Sequence, residues 1–386
     1  MNLGIVTPFF TPVVGGEATA PYTLARGLKA RGHSVTIFTT NYGRRESKFE
    51  DEGGLTIVES RCVANFSGLL YTPEMRGKLK ETARTIDIFD FNSFRTYQNV
   101  IAMGFAREHR MPYVLRAHGS LQRLGKSVPK LFFDRLYGYS VIRNASKLIA
   151  LTPIEAEQYT ALGVPQDKIA VVPNGIDLTE YSHLPPRGTF RRKIGLDENN
   201  MMVLYLGRIH RSKRIDVLVR SFQLVTQRMK NARLVIAGYD DGYLQYLRFL
   251  TQSLGLNDYV IFTGPLNESD KQAALSDAGV FVTPSFYGFP MTFLEACAVG
   301  TPIIATNLGD VLSWIDGVCG YVTSPDPAEL AHAICRVLLD GDVRAKFSEN
   351  CKSIVQLKFS AAGIAKILES TYEGLVGHTS PRQGGN

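Results

Sequence analysis

The sequence predicts an α/β protein made of two doubly wound domains in tandem. Short apolar runs alternate with stretches of helical spacing along nearly the whole chain, which is the pattern of parallel βαβ units. The alternation is interrupted at Pro185-Pro186 and the basic Arg191-Arg192-Lys193, which read as linker and polar surface, and then it starts over. A length of 386 residues allows two to three domains and favours two. An N-terminal domain is therefore expected over 1–185 and a second over 186–358. A last helix over 359–376 and a polar, Gly-rich, disordered tail over 377–386 should follow. Two such domains leave an interdomain cleft, the usual place for a ligand.

In the first half, residues 3–7 read as a strand, followed by the Gly15-Gly16 loop, a helix over 21–31 and a strand over 34–40. The Gly-Gly loop is either a plain tight turn or a place where backbone approaches a phosphate or sugar. It lacks the spacing of a dinucleotide fingerprint. Residues 86–91 and 112–117 are further strands, and the second runs straight into His118-Gly119. Ligands of open parallel sheets sit beyond the C-terminal strand ends, so His118 is placed for chemistry, although a satisfied loop residue is the plainer reading. Residues 127–143 look helical, with aromatics beside basic residues. A strand over 148–152, a helix over 155–163 and a strand over 168–172 lead to Pro173-Asn174-Gly175-Ile176-Asp177. Asn-Gly after proline signals a turn.

The second half repeats the logic. A strand over 202–206 opens into Gly207-Arg208 and on to Lys213, before a helix over 215–229. Strands over 234–237 and 260–263 alternate with helices over 242–254 and 268–276. A strand over 280–283 then meets the turn Tyr287-Gly288-Phe289. Pro290 suits a first helical position, since it has no N–H to leave unpaired. Met291, Leu294 and Ala298 carry that helix to Gly300, and 303–305 resumes as a strand. Tyr321-Val322 and helices over 327–339, 343–357 and 359–375 complete the chain. Arg208 and Lys213 share one loop and could converge on a single anion such as a diphosphate, or simply be surface charge. The helix N-terminus after Pro290 attracts phosphates. Glu295 is one carboxylate in apolar company.

Apolar residues make up 45% and charged residues 20%, which fits a globular chain with ample core. No apolar run approaches the roughly 20 residues that span a bilayer. The N-terminus reads as a strand rather than a signal peptide. Five cysteines without a CxxC pair argue for reduced thiols in a cytoplasmic setting and no zinc site. The net charge is +7, and residues 107–147 alone hold nine basic residues against Glu108 and Asp134, an equal excess. That segment is either a surface helix with a packed apolar face or a patch for an anionic membrane surface. No nucleic-acid motif accompanies the charge.

From the Gly15-Gly16 loop and Arg31-Gly32-His33-Ser34-Val35 to the last helices, the chain resembles the retaining GT-B glycosyltransferases of family 4, the glycosyl transferases group 1. The resemblance is most specific at Pro173-Asn174-Gly175-Ile176-Asp177, at Gly207-Arg208 with Lys213, and at Gly288-Phe289-Pro290 with Leu294-Glu295-Ala296. It implies a GT-B fold of two Rossmann-like domains and transfer of a sugar from a nucleotide diphosphate sugar, UDP- or GDP-linked. His118 would contact the donor sugar, and Arg208 and Lys213 would bind the diphosphate as leaving group. Glu295, the last Glu of the family's E-x7-E motif, would hydrogen-bond the ribose. Backbone N–H groups around Met291 and Thr292 would add to phosphate binding, Leu266 would lie against the base, and Gly16 would let its loop close on the donor. The last helix would cross back onto the N-terminal domain.

One position departs from the family pattern. The first Glu of E-x7-E falls on Tyr287, whose phenol is neutral at pH 7. An altered sugar preference is the favoured reading, with a carboxylate supplied from elsewhere, such as Glu17, or reduced activity as the others. The acceptor implied is a glycan or a lipid-linked molecule held by the N-terminal domain, which makes 107–147 a candidate membrane contact. No cofactor is called for, and metal-independent chemistry is expected because the cations would replace Mg²⁺. A cytoplasmic location follows, at the membrane face if the basic segment binds lipid. The competing classes are a non-catalytic GT-B protein that binds nucleotide sugar or supports a partner transferase, and a GT-B sugar-nucleotide epimerase.

Overall fold

The structure is a computed structural model and describes residues 1–10, 16–43, 54–66, 68–121, 127–286, 288–306 and 312–377. The chain divides into two compact units, Met1–Asp177 together with the chain from Ser360, and Leu178–Phe359.

The first unit opens with β1 (Asn2–Val6), α1 (Gly16–Ala30), β2 (Ser34–Thr40) and β3 (Thr56–Ser60). A short antiparallel pair, β4 (Ala64–Phe66) and β5 (Leu69–Tyr71), precedes α2 (Met75–Thr82), β6 (Ile88–Asn92), α3 (Tyr97–Glu108) and β7 (Tyr113–Arg116). α4 (Ser127–Phe133) continues through a π-helical turn, Asp134–Gly138, into α5 (Tyr139–Arg143). Then come β8 (Lys147–Ala150), α6 (Pro153–Ala161) and β9 (Ile169–Val171). Seven strands form one parallel sheet in the order β3-β2-β1-β6-β7-β8-β9. Helices cover both faces, so the central strands are buried; all of β6, for example, is buried, including the polar Asp90 and Asn92.

The second unit contains α7 (Thr189–Lys193), β10 (Met201–Leu206), α8 (Ile215–Arg228), β11 (Ala232–Ala237), α9 (Leu244–Ser253) and β12 (Val260–Gly264). It continues with α10 (Glu268–Asp277), β13 (Val280–Thr283), α11 (Met291–Val299), β14 (Ile303–Thr306), β15 (Gly320–Thr323), α12 (Pro327–Leu339) and α13 (Gly341–Lys358). Its six strands are parallel in the order β12-β11-β10-β13-β14-β15. Leu218, Phe222 and Val225 of α8 share one buried cluster with Leu330, Ile334 and Leu338 of α12 and the strand residues Val203 and Val282.

The final helix, α14 (Ala361–Gly377), belongs to the first unit. Its Ile364, Ala365, Leu368 and Tyr372 join the core formed by α1 and the strands. Glu369 pairs with Arg31 and lies 2.7 Å from His33 Nε2, and the Tyr372 hydroxyl donates to Asp90 in β6. Among the described residues, no helix is long and apolar enough to cross a membrane.

Several local expectations need correction. Residues 173–177 do not form a turn. The segment is extended, Ile176 bridges Ser360, and Ala361 N donates to the Ile176 carbonyl at 2.8 Å. Gly175 is needed there for space, because a Cβ on it would stand 2.9 Å from the Ala361 Cα. The run Arg191-Arg192-Lys193 is helical rather than linker. Its first turn is held by Asp277, whose carboxylate accepts from Gly188 N, Phe190 N and Arg191 N at 2.5, 2.9 and 3.1 Å. Pro290 occupies the N-cap of α11 rather than its first helical position. α1 begins at Gly16 and carries Pro21 inside it, five residues ahead of the expected start. The tail after Gly377 lies outside the described residues.

Gly175→Ala should cost about 1–3 kcal/mol of stability, the range for overpacking a tight backbone contact. Denaturant unfolding followed by far-UV circular dichroism reads it, and a variant as stable as the parent would show that this approach is not tight.

Candidate active site

Both sheets reverse their strand order once. In the first unit the chain runs from β1 outward to β3 and then returns to β6 on the other side of β1; in the second it runs from β10 outward to β12 and returns to β13. At such a reversal two neighbouring loops leave in opposite directions and open a crevice at the C-terminal strand ends.

In the second unit the loop after β10 carries Arg208 and Lys213. Its shape is set by backbone pairing with the loop after β11, where Ile209 N donates to the Tyr239 carbonyl and Asp241 N to that of Ile209. The approach is so close that a Cβ on Gly238, at φ +147°, would fall 1.8 Å from the Gly207 carbonyl oxygen. His210 caps the 3-10 turn Arg211–Lys213, with Nδ1 accepting from Ser212 N at 3.1 Å. Arg208 is part-exposed and its Nη1 reaches Asp241 Oδ2 at 3.0 Å. The Lys213 ammonium makes no hydrogen bond or ion pair with the described residues. Burial first and the Arg208 charge second hold its pKa below the usual lysine range. Two cations close together, one of them largely buried and without a counter-ion, make a site suited to an anion.

The adjacent strand β13 delivers the second loop. Gly288 takes φ +67° and Pro290 caps α11 without a side-chain hydrogen bond, so the N–H groups of Met291 and Thr292 open the helix. Phe289 does not project freely. It packs with Trp314 and Phe359 at ring-centroid distances of 6.1 and 5.5 Å, which anchors the loop. Glu295, one turn into α11, is 5% exposed. Its Oε1 accepts from Lys271 Nζ at 2.8 Å, and the same ammonium reaches Glu268 Oε2 at 2.8 Å. Burial works against the Lys271 charge, but Glu295 and Glu268 overcome it and raise its pKa. Leu266 is half-buried between β12 and α10. Tyr287 lies outside the described residues, as do the side chains of Gly16 and Glu17; the Gly16 backbone starts α1.

In the first unit His118 follows β7 in the left-handed region, φ +51°, with Gly119 at +75°. The turn is held by Glu155 of α6, whose carboxylate accepts from Gly119 N and Leu151 N, both at 2.7 Å. His118 Nε2 lies 2.9 Å from Asn92 Oδ1. The Asn92 amide nitrogen is turned to Asp90, donating to its carbonyl and to Oδ1, so Oδ1 of Asn92 is the acceptor and His118 Nε2 carries the proton. Nδ1 is then left with a lone pair. Burial, followed by the nearby Arg116 charge, pushes the His118 pKa down to about 3, so the ring is neutral at physiological pH. Arg116 is itself paired with Asp90 at 3.1 Å. Arg95 grips Asp134 of the π-helical turn at 2.7 and 2.8 Å and donates to the Ser120 and Leu121 carbonyls. That clamp ties the basic helical segment to the loop after His118.

Asn92, Glu155, Arg95 and Lys271 were not singled out from the sequence. Each acts on a residue at least 24 positions away, and no local pattern marks such a partnership. The cysteines gave a second surprise. The sulfurs of Cys297, Cys319 and Cys351 lie within 4.8 Å of one another, all buried, and form the described group with metal-ligating potential. They come from α11, the approach to β15 and α13, which no CxxC count reveals. Cys319 immediately precedes β15, so this group sits toward the N-terminal strand ends, away from the anion loops.

Two family models match the chain, glycosyltransferase family 4 over residues 14–180 and glycosyl transferases group 1 over 186–354. An uncharacterized glycosyltransferase of Methanocaldococcus jannaschii is 28% identical over 97% of this chain and 98% of its own length. The alpha-monoglucosyldiacylglycerol synthase of Streptococcus pneumoniae is 27% identical over 79% of this chain and 71% of its own. In fold, the chain is similar to Anabaena HepE, solved in complex with UDP-glucose, with a TM-score of 0.79 at 20% identity, covering 97% of this chain and 100% of that one. The chain belongs to the family 4, group 1 glycosyltransferases and has their GT-B fold. It is accordingly an enzyme of the glycosyltransferase class.

The depressed pKa of His118 has a measurable consequence. Between about pH 6.5 and pH 3 the unfolded chain binds a proton there that the native chain does not, so this residue makes stability fall as pH is lowered through that window. A ring edge stays open to water, which reduces the effect. Between pH 7 and pH 5, His118→Gln should lose about 1 kcal/mol less stability than the parent. Urea unfolding at the two pH values checks it, and equal losses would mean that His118 titrates normally.

Proposed function

We propose that the chain is a retaining glycosyltransferase that takes its sugar from a nucleotide diphosphate sugar, UDP- or GDP-linked, and transfers it to a lipid-linked or membrane-surface acceptor. The observation that carries the donor half is Lys213, an ammonium without a counter-ion among the described residues, beside Arg208 and in the loop next to the start of α11, which has no side-chain cap. As the bond to the sugar breaks, charge develops on the diphosphate. Two fixed cations and backbone N–H groups can stabilise that charge without reorganising. Glu295 is assigned to the ribose, Leu266 to the base, and the loop from Tyr287 to Thr292 to the donor. His118, neutral with its Nδ1 lone pair available, is assigned to a hydroxyl of the donor sugar. Binding of the donor's nucleotide diphosphate falls to the second unit and acceptor binding to the first. UDP-glucose is the first donor to test, since it is the ligand of the HepE structure.

The acceptor half rests on the basic segment. Val128, Leu131, Phe132, Leu136 and Tyr137 are exposed apolar side chains on α4 and the π-helical turn, with Phe132 at 66% and Val128 at 75%. Exposed Arg135 and Arg143 accompany them. Apolar side chains at the acyl boundary beside basic residues at the headgroups suit an anionic leaflet. The pneumococcal relative is named for a glucosyldiacylglycerol product, which agrees with a lipid acceptor. Tyr287 motivates the second reading, a protein that binds nucleotide sugar without turning it over.

A panel of UDP-, GDP- and ADP-sugars separates these readings. Slow release of nucleotide with free sugar marks a transferase, an isomerised donor an epimerase, and binding without turnover a pseudoenzyme. Lys213→Ala or Arg208→Ala should each lower turnover by roughly 10²–10³, the scale of losing one preorganised charge stabiliser. Near-normal turnover in both variants would refute the assignment. For the acceptor, co-sedimentation with vesicles should rise with anionic lipid content and fall in Phe132→Asp. Binding indifferent to lipid charge would count against a membrane-surface acceptor.

A further inference from the structure

Lys271 has no part in the donor site as proposed, yet it is paired with one of its members. It stands on α10, and its Nζ bridges Glu295 Oε1 and Glu268 Oε2, each at 2.8 Å. We propose that Lys271 is a positioning residue for nucleoside recognition: it fixes the Glu295 carboxylate so that Oε2 is presented to the ribose hydroxyls of the donor nucleotide. This rests on the reading of Glu295 as the ribose contact.

Glu295 sits in a helix whose other buried members, Met291, Phe293, Leu294, Ala296, Cys297 and Val299, are apolar or weakly polar. At 5% exposure the carboxylate has little contact with water, so protein or ligand donors must supply most of its hydrogen bonds. Lys271 fills one oxygen. Oε2 has no partner among the described residues, and an ionised carboxylate oxygen has two lone-pair sites. A ribose offers two neighbouring O–H donors, which matches that capacity.

Lys271 does more than occupy space. It fixes the side-chain rotamer of Glu295, so the ordering cost is met before the nucleotide arrives. Its charge also pairs with a carboxylate that would otherwise stand isolated and largely shut off from water. Sharing the ammonium with Glu268, a more exposed carboxylate on the same helix, anchors Lys271 to α10.

The test is calorimetric binding of the full chain to UDP and GDP and to the 2′-deoxy and 3′-deoxy forms of each. The parent should prefer the ribonucleotide over its weaker deoxy analogue by about tenfold or more, the scale of a hydrogen bond to a charged group. Glu295→Ala should erase that preference. Lys271→Met should reduce it to about threefold or less, and Lys271→Arg, which keeps a charged donor, should retain most of it. Should Lys271→Met fail to fold, Lys271→Gln is read in the same way. A merely structural Lys271 would lower the melting temperature of Lys271→Met and leave the ribo-to-deoxy ratio at the parental value, which overturns the proposal. If Glu295→Ala also keeps the ratio, the ribose reading falls and the Lys271 proposal with it. If Glu295→Ala loses the ratio and Lys271→Met keeps it, only the role of Lys271 falls. A parent that binds neither diphosphate removes both.

Discussion

In a parallel sheet every strand delivers the chain to the same edge, and the returning helices cover both faces. That edge is what remains for a ligand, and it opens widest where the strand order reverses. In this protein the constraint acts twice. β10 and β13 are neighbours that send their loops to opposite sides, and Arg208, Lys213 and the start of α11 lie in those two loops. In the first unit β6 ends in Asn92 and β7 leads into His118, and the two side chains meet there. The chemistry of each residue is secondary to this placement, because the same Arg and Lys on a helix exterior would be solvated charge.

Placement alone would leave loops free to wander, and each loop is held by an interaction suited to it. The cation loop is fixed by backbone pairing with its neighbour, close enough that Gly238 cannot carry a side chain. The α11 loop is fixed by stacked aromatics, with Phe289 and Phe293 both against Trp314. The His118 loop is fixed by a buried carboxylate, Glu155, which accepts from two backbone amides. Each device leaves polar groups without a hydrogen-bond partner among the described residues: the Lys213 ammonium, the N–H groups that open α11, and the Nδ1 of His118.

Much of this was legible in the sequence wherever the information is local. Strand 280–283, the stop at Gly300 and the helix over 327–339 follow from apolar runs, a left-handed cap and periodicity, and they stand where expected. The Arg208–Lys213 loop was found for the same reason. What was missed depends on residues far apart in the chain. Asn-Gly at 174–175 reads as a turn by local rules, yet Gly175 is there because Ala361 passes within contact, almost two hundred residues on. The basic run 191–193 reads as surface, yet Asp277 turns it into a capped helix. Three cysteines converge from three elements without a spacing that predicts it. β3 to β5 and the helices α2 and α3 were not assigned at all.

The buried charges of this protein differ in how far the described residues satisfy them. A carboxylate or cation inside a protein must be paired or give up its charge. Asp90 is paired with Arg116 and receives the Tyr372 hydroxyl from the last helix. Asp134 is paired with Arg95, and Asp277 is spent on the amides that start α7. Each of these carboxylates is met by protein donors, although Arg116 Nη2 is left buried without a partner among the described residues, and each joins distant parts of one unit. Glu295 is half complete, with one oxygen on Lys271 and the other without a described partner. Lys213, largely buried beside a second cation, has no counter-ion among the described residues. Leaving a cation so placed costs stability. Under the proposed function the anion would arrive with the substrate, and the Glu295 oxygen without a described partner would meet another part of the same molecule.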